Sequence, residues 1–229
     1  MSAWDAFAVD YEKWSAAITE DVPFYVELAR EADGPVVELG VGNGRVAVPV
    51  AQAIDRPVLG IDISPAMLEQ ARANGEAAGV KLELREGDMR ELALDEPAAL
   101  IYCPARALMH LPTWADRRHT FERIAGALQP GGRFAWNAFV FDPHVASRLD
   151  GQWHEAPVRH RVDYVPADSR IDLTLEDGST IPLYWSTRGE WEGLLEVAGL
   201  ETEALYGWFD RRPFDESGEE FVWVARRPA

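Results

Sequence analysis

Three short segments hold the residues whose types and spacing suit chemistry. The first is Glu38-Leu39-Gly40-Val41-Gly42-Asn43-Gly44, a glycine-rich turn that leaves an apolar run and opens a helical stretch. Glycine tolerates positive φ and lets ligand atoms approach the backbone, and the following helix start supplies amide hydrogens. The spacing is G-x-G-x-G, with Arg45 where a dinucleotide fingerprint needs its third glycine, and no G-K-[ST] follows, so neither pyrophosphate nor triphosphate patterns are met. The second is Asp62, placed 22 residues after Gly40, where a carboxylate can accept both hydroxyls of a ribose. The third is Gly87-Asp88-Met89. Together Glu38, Asp62 and Asp88 offer an acidic crevice to a nucleoside that carries little negative charge. Taken singly, Asp62 also reads as a turn residue and Asp88 as a solvated loop acid.

The elements that must position these residues alternate in the order of a parallel sheet covered by helices. Apolar runs at 35–39, 58–62, 81–84, 98–102 and 133–136 read as strands one to five, and 45–54, 64–78 and 113–128 as helices. Ser64 before Pro65, and Thr113 with Asp116, are helix-start signatures. In the third helix Trp114, Phe121, Ile124, Ala125 and Leu128 share a face, and Pro130-Gly131-Gly132 ends it. All three functional segments therefore fall at carboxyl ends of parallel strands, the edge where open α/β sheets bind ligands. After Phe139 the rhythm changes. Alternation over 158–164, 171–175 and 181–185 with a turn at 176–179 reads as a small antiparallel insertion spanning 140–187. A helix at 188–198 and a final hairpin of strands near 203–209 and 220–226 complete one domain covering residues 1–229.

Composition narrows the partners. The chain has 229 residues with Lys+Arg 22 against Asp+Glu 39, a net charge of −17, which opposes a polyanion and excludes nucleic acid as the expected substrate. Hydrophobic residues at 47% supply a core. The single cysteine, Cys103, rules out an internal disulfide and a cysteine-built metal cluster, and no metal site is expected. No apolar stretch reaches the roughly 20 residues of a membrane span and the first residues lack a signal-peptide pattern, so a cytoplasmic protein without membrane contact is expected.

In this frame the chain resembles the class I S-adenosylmethionine-dependent methyltransferases over nearly its whole length. The matching residues are Glu38 to Gly44, Gly60-Ile61-Asp62-Ile63-Ser64 with Met67-Leu68, Glu86-Gly87-Asp88-Met89 and Leu128 to Phe134. The resemblance implies a Rossmann-like, doubly wound α/β fold with a seven-stranded sheet, mostly parallel with an antiparallel last strand. It implies S-adenosylmethionine as cofactor: Gly40, Gly42 and Gly44 pass the methionine portion, Asp62 holds the ribose, Asp88 and the Met89 amide read the adenine, and Ile63 and Met67 flank the base. Residues 1–20 become a helical lid in which Tyr11, and with it Trp14, closes over the cofactor or packs on the core with Trp4 and Phe7. Cys103 puts its backbone near the cofactor and its side chain in the core.

The implied activity is methyl transfer to N or O of a small metabolite, an in-line displacement without metal or covalent intermediate. A catalytically silent cofactor-binding module on the same fold is the alternative. The acceptor pocket is expected beyond strands four and five and under the insertion. Its candidates are His110 as a base, Arg106 as a carboxylate or phosphate clamp or the partner of a surface acid, and Trp136, Asn137, His144, Trp153, His154 and Trp185 as lining. The tryptophans form either a cage or insertion core. The insertion itself is open to two roles, a substrate lid or the contact of a homodimer.

Overall fold

The computed structural model describes residues 11–16 and 18–229. Trp4 and Phe7 lie outside the described residues. Residues 11–15 are helical, and the elements that follow are α1 (Val22–Glu31), β1 (Val36–Leu39), α2 (Ala47–Ile54), β2 (Val58–Asp62), α3 (Pro65–Ala77), β3 (Leu82–Glu86), β4 (Ala98–Cys103), α4 (Trp114–Ala127) and β5 (Leu128–Phe139). Then come α5 (Pro143–Leu149), β6 (Gln152–His154), β7 (His160–Val165), β8 (Arg170–Leu175), β9 (Thr180–Tyr184), α6 (Arg188–Ala198), β10 (Glu201–Tyr206) and β11 (Glu220–Arg226).

The main sheet has the order β10-β11-β5-β4-β1-β2-β3. β1 to β5 run parallel, and β11 lies antiparallel between β5 and β10. The fold class expected from the sequence is therefore the one observed, including the terminal hairpin. Both faces are covered, which is why the strands read as unbroken apolar runs. Val36, Leu100, Tyr102, Ala135 and Val222 face the layer that holds α1 and α2, while Val37, Ile101, Phe134, Trp136 and Trp223 face α4 and α6. The alternation between neighbours such as Val36 and Val37 is the period of two of a pleated strand.

Local chemistry sets the helix starts. Ser64 Oγ accepts the Met67 amide at 3.3 Å ahead of Pro65, Thr113 Oγ1 accepts the Asp116 amide at 3.0 Å, and Thr187 with Glu190 forms a full capping box. Trp114 departs from expectation: it sits on the outer side of α4 and is exposed, its place on the buried face being taken by Arg117 and Thr120. α1 and α5 were not read from the pattern. Each begins with a proline in its first turn, and Asp142 caps α5 by accepting the His144 amide at 2.7 Å.

The insertion is a second, antiparallel sheet, β6-β7-β8-β9. It is anchored to the main body: Arg117 donates to Ser186 Oγ and to the Tyr184 carbonyl, and the loop after β4 reaches β9 through His110. No helix among the described residues is long and apolar enough to cross a membrane, and no group of three metal-ligating side chains occurs among them.

Candidate active site

A cavity of about 720 Å³ runs along the carboxyl edge of the parallel strands, within the usual size of small-molecule sites. At one end it is made by the loops after β1, β2 and β3. Gly40 and Gly42 hold φ of +67° and +54°. A Cβ on Gly40 would lie 2.9 Å from the Ala107 methyl, and one on Gly42 3.2 Å from the Tyr11 ring, so both positions leave a bare backbone facing the cavity. Asp62 fixes this loop. Its Oδ2 accepts the Gly42 amide at 2.8 Å and its Oδ1 the Ser64 amide at 2.9 Å, tying the glycine turn to the start of α3. Ile63, Met67 and Met89 add apolar wall. Asp88 also lines the cavity, but Arg90 pairs with it at 2.6 Å and holds its carboxyl below the ordinary range, so it brings little net charge.

The covering of this end comes from the N-terminal segment. Tyr11 lies over Gly42, and burial pushes its hydroxyl up to about 12. Trp14 lines the cavity and meets His160 of the insertion edge-on, ring centroids 4.7 Å apart. Arg45 stitches the segment down, donating to both Asp21 carboxylate oxygens at 2.6 Å and to the Ile18 carbonyl at 2.7 Å.

Glu38, Gly44 and Cys103, expected at the site, are not among the cavity's lining residues. Glu38 is 1% exposed. Burial, only partly offset by the Tyr102 hydroxyl and Arg45, raises its carboxyl to about 8, so it is largely protonated at neutral pH and adds no acid to the crevice. Its Oε2 has no hydrogen-bond partner. Gly44 packs on Ala71. Cys103 is a core side chain whose thiol burial pushes up.

The other end is built by β4, β5, β11 and the insertion. Arg106 follows Ala105 with both residues at positive φ, +62° and +55°. Its Nε and Nη2 donate to Glu220 at 3.2 and 2.7 Å, and its guanidinium lies 5.4 Å from the Phe139 ring centroid. Asn137 Nδ2 donates to Glu220 Oε1 at 2.6 Å while its Oδ1 accepts the Tyr25 hydroxyl at 3.1 Å. Arg106, Asn137 and Glu220 all line the cavity. His110 lines it as well, with Nδ1 2.9 Å from the Pro182 carbonyl. A carbonyl only accepts, so Nδ1 carries the hydrogen and Nε2 is the unprotonated ring atom. Burial lowers the imidazole to about 4 and leaves it neutral. Leu183 of the insertion and Trp208 and Phe209 after β10 add apolar surface to the cavity, while Leu173 and Ile181 of the insertion cluster with Met67, Tyr11 and Trp14 and so reach its first end.

Five of the six expected lining residues lie elsewhere. Trp136 is fully buried, stacked between Phe134 and Trp223 beneath α4 and α6. Trp185 stacks on Phe141 at 4.1 Å as insertion core. Trp153 is exposed under the Arg159 guanidinium, His144 is exposed on α5, and His154 stacks on His160. Only Asn137 of that set reaches the cavity. Side chains alternate along a strand, so one residue's shift from Trp136 to Asn137 separates core from site. Sequence reasoning missed Glu220, Asp21, Arg90, Trp208 and Phe209. Glu220 carried a signal: it is a carboxylate at the head of an apolar strand whose antiparallel direction brings its first residue to the carboxyl edge, where it pairs with Phe139.

Comparison with known proteins agrees with this geometry. A family model described as a methyltransferase domain matches residues 36–132. The chain is 29% identical over 145 residues to 27-O-demethylrifamycin SV methyltransferase of Amycolatopsis mediterranei, covering 62% of this chain and 52% of that protein. It is 31% identical over 167 residues to a trans-aconitate 2-methyltransferase of Methylobacterium radiotolerans, covering 62% and 60%. The chain thus spans little more than half the length of the curated relatives it matches. Among solved structures, the CcbJ methyltransferase from Streptomyces caelestis superimposes with a TM-score of 0.83 at 25% identity, covering 100% of this chain and 99% of that one. With the ordered glycine turn, Asp62 and Asp88 on a seven-stranded sheet closed by an antiparallel last strand, the chain resembles the class I S-adenosylmethionine-dependent methyltransferases, and its residues 36–132 match their methyltransferase domain.

Proposed function

We propose that the protein is an S-adenosylmethionine-dependent methyltransferase that methylates N or O of a small metabolite. The observation that carries this reading is the single cavity with two chemically distinct ends. Adjacent strands lie about 4.8 Å apart, so the four steps from β2 to β11 separate Asp62 from Glu220 by roughly 19 Å along the edge. That span suits a nucleoside at one end and a second molecule at the other.

The residues fit the cofactor. Asp62 offers a carboxylate already oriented by two amides, Gly40 and Gly42 leave room that a Cβ would fill, and Ile63, Met67 and Met89 provide apolar surface for a flat base. The cavity's excess of carboxylates over arginines favours a cationic sulfonium over a pyrophosphate. When bound, the cofactor would supply an electrophilic methyl on sulfur to an acceptor N or O, the carbon–sulfur electron pair returning to sulfur and the acceptor's N–H or O–H proton passing to solvent.

The chain's own residues then work by positioning and by excluding water. Tyr11 and Trp14 cover the cofactor end, and the insertion acts as a lid over the cavity, since Leu173, Ile181 and Leu183 line it and Ile181 packs with Met67 and Trp14. His110 lines the cavity with its ring fixed by the Nδ1–Pro182 carbonyl contact. With its imidazole near 4 it is a weak base, suited to orienting an amine that arrives neutral more than to stripping a proton from an alcohol. Arg106 is already paired with Glu220, so its charge is not free to clamp an acidic acceptor.

Isothermal titration with S-adenosylhomocysteine tests the first half: binding is expected, with a loss of tenfold or more in Asp62→Ala. No binding at millimolar ligand, or undiminished binding in the variant, refutes it. A panel of amine and hydroxyl metabolites with methyl-labelled cofactor tests the second, and failure of every member to become labelled would favour a silent cofactor-binding module.

A further inference from the structure

Among the described residues, Arg106 is the only arginine or lysine lining the acceptor end of the cavity. The fold has already used its charge. Two donors of one guanidinium face the two oxygens of one carboxylate, the planar, two-point arrangement in which arginine recognises an acid most selectively. Glu220 is 1% exposed, whereas the Arg106 side chain is 44% exposed. The carboxylate is therefore the fixed partner, held from beneath by Asn137, and the guanidinium is the wall the acceptor meets. The turn that presents it runs through two successive non-glycine residues at positive φ, a conformation that persists where surrounding contacts enforce it. The other cavity arginine, Arg90, is committed to Asp88 and Asp116.

A carboxylate or phosphate on an incoming acceptor would have to displace Glu220 from Arg106, or sit beside it as a second negative charge on one guanidinium. A neutral or protonated group meets neither penalty. We propose that Glu220 is the residue that sets the charge preference of the acceptor end. By neutralising Arg106 from within, it makes the site select neutral and amine-bearing acceptors with apolar bodies and reject carboxylates and phosphates. This inference rests on the cavity being a methyltransferase site.

The test uses the full chain saturated with S-adenosylhomocysteine and two matched probes, 3-phenylpropylamine and 3-phenylpropionate, whose phenyl groups suit the apolar lining supplied by Leu183, Trp208 and Phe209. Titration calorimetry should find the amine preferred in the native protein. Glu220→Gln releases Arg106, and the affinity for 3-phenylpropionate should rise about ten- to a hundredfold, the range of one charge-assisted pair. Arg106→Gln should move the preference the opposite way, and R106Q/E220Q should abolish the gain seen in E220Q. Opposite shifts from the two halves of one ion pair are not expected of a purely structural contact. Glu220→Asp keeps the charge but withdraws it by one methylene, and should show a smaller gain in the same direction if the glutamine variant does not fold. Retained S-adenosylhomocysteine binding with no gain of 3-phenylpropionate in a folded Glu220 variant overturns the inference and leaves the methyltransferase reading intact. Equal binding of both probes by the native protein also overturns it. Loss of S-adenosylhomocysteine binding in the native protein overturns the reading beneath it.

Discussion

Glu38 makes the pH dependence of stability calculable. Its carboxyl ordinarily titrates at 4.5 and is held at about 8 in the fold by burial. Between those values the folded chain keeps a proton that the unfolded chain releases, so the native state binds more protons and stability falls as the pH rises. The slope is roughly 1.4 kcal/mol per pH unit, and the whole displacement corresponds to roughly 5 kcal/mol, a large fraction of a domain's total stability. The contribution is fully present below 4.5 and fully lost above 8. Glu38→Gln removes the titration and keeps the shape. Urea unfolding of both proteins at pH 5.5 and 7.5 should show the difference in unfolding free energy, native minus variant, fall by about 3 kcal/mol over those two pH units. Absolute stabilities matter less, because a buried glutamine amide brings its own unsatisfied donors. Parallel pH profiles for the two proteins would mean that the carboxyl titrates alike in fold and unfolded chain, and a variant that loses ground as the pH rises would mean that Glu38 is ionised and paired; either result refutes the reasoning. The same logic extends to ligand binding: a cationic cofactor favours the ionised carboxylate, so S-adenosylmethionine should shift the midpoint of this titration downward.

Other perturbations bear on the loops and the lid. Asp62→Asn leaves one acceptor atom where two amide donors converge, at 2.8 and 2.9 Å, and should lower unfolding free energy by about 1–3 kcal/mol even without cofactor, measured by urea titration. Gly42→Ala imposes a φ of +54° on a side chain and sets a Cβ 3.2 Å from the Tyr11 ring. It should cost about 1 kcal/mol in stability and weaken S-adenosylhomocysteine binding in calorimetry, whereas Gly131→Ala, remote from the cavity, should leave that binding unchanged. Trp14→Ala and His160→Ala should be non-additive in S-adenosylhomocysteine affinity, with a coupling of about 0.5–1.5 kcal/mol, because the two rings join the N-terminal cover to the insertion.

The cofactor end was legible because its chemistry is local. The glycine turn begins directly after β1, Asp62 ends β2 and Asp88 lies two residues past β3, so an apolar run followed by a particular residue type already places the residue at the carboxyl edge. What pattern could not supply was which of these acids keeps its charge. Glu38 differs from Asp62 in facing the interior, and that follows from Tyr102 and Tyr25 on the neighbouring elements, not from its position before a glycine. The same limit explains the tryptophans. Residue type marked Trp136 and Trp185 as candidates for a cage, but each fills the space between a sheet and its covering layer, where large aromatic area is most stabilising.

The acceptor end has the opposite character, and this explains why family likeness informs it least. Its contacts join residues far apart in the chain: Arg106 to Glu220 across 114 positions, His110 to Pro182 across 72, Tyr25 to Asn137 across 112. The stretch that matches the methyltransferase family model ends at residue 132, so Asn137, the insertion's wall, Trp208, Phe209 and Glu220 all lie beyond it. A chain can therefore keep the cofactor end intact while each of those distant residues changes independently, and the acceptor preference changes with them. In this chain the deciding pair combines one residue inside the matched stretch with one outside it. Arg106 read alone is a clamp for acids; with Glu220 beneath it, the same guanidinium becomes a neutral wall. On the inference drawn above the acceptor class is a property of the pair, and the pair exists only because the antiparallel last strand brings Glu220 to the edge where the parallel strands end.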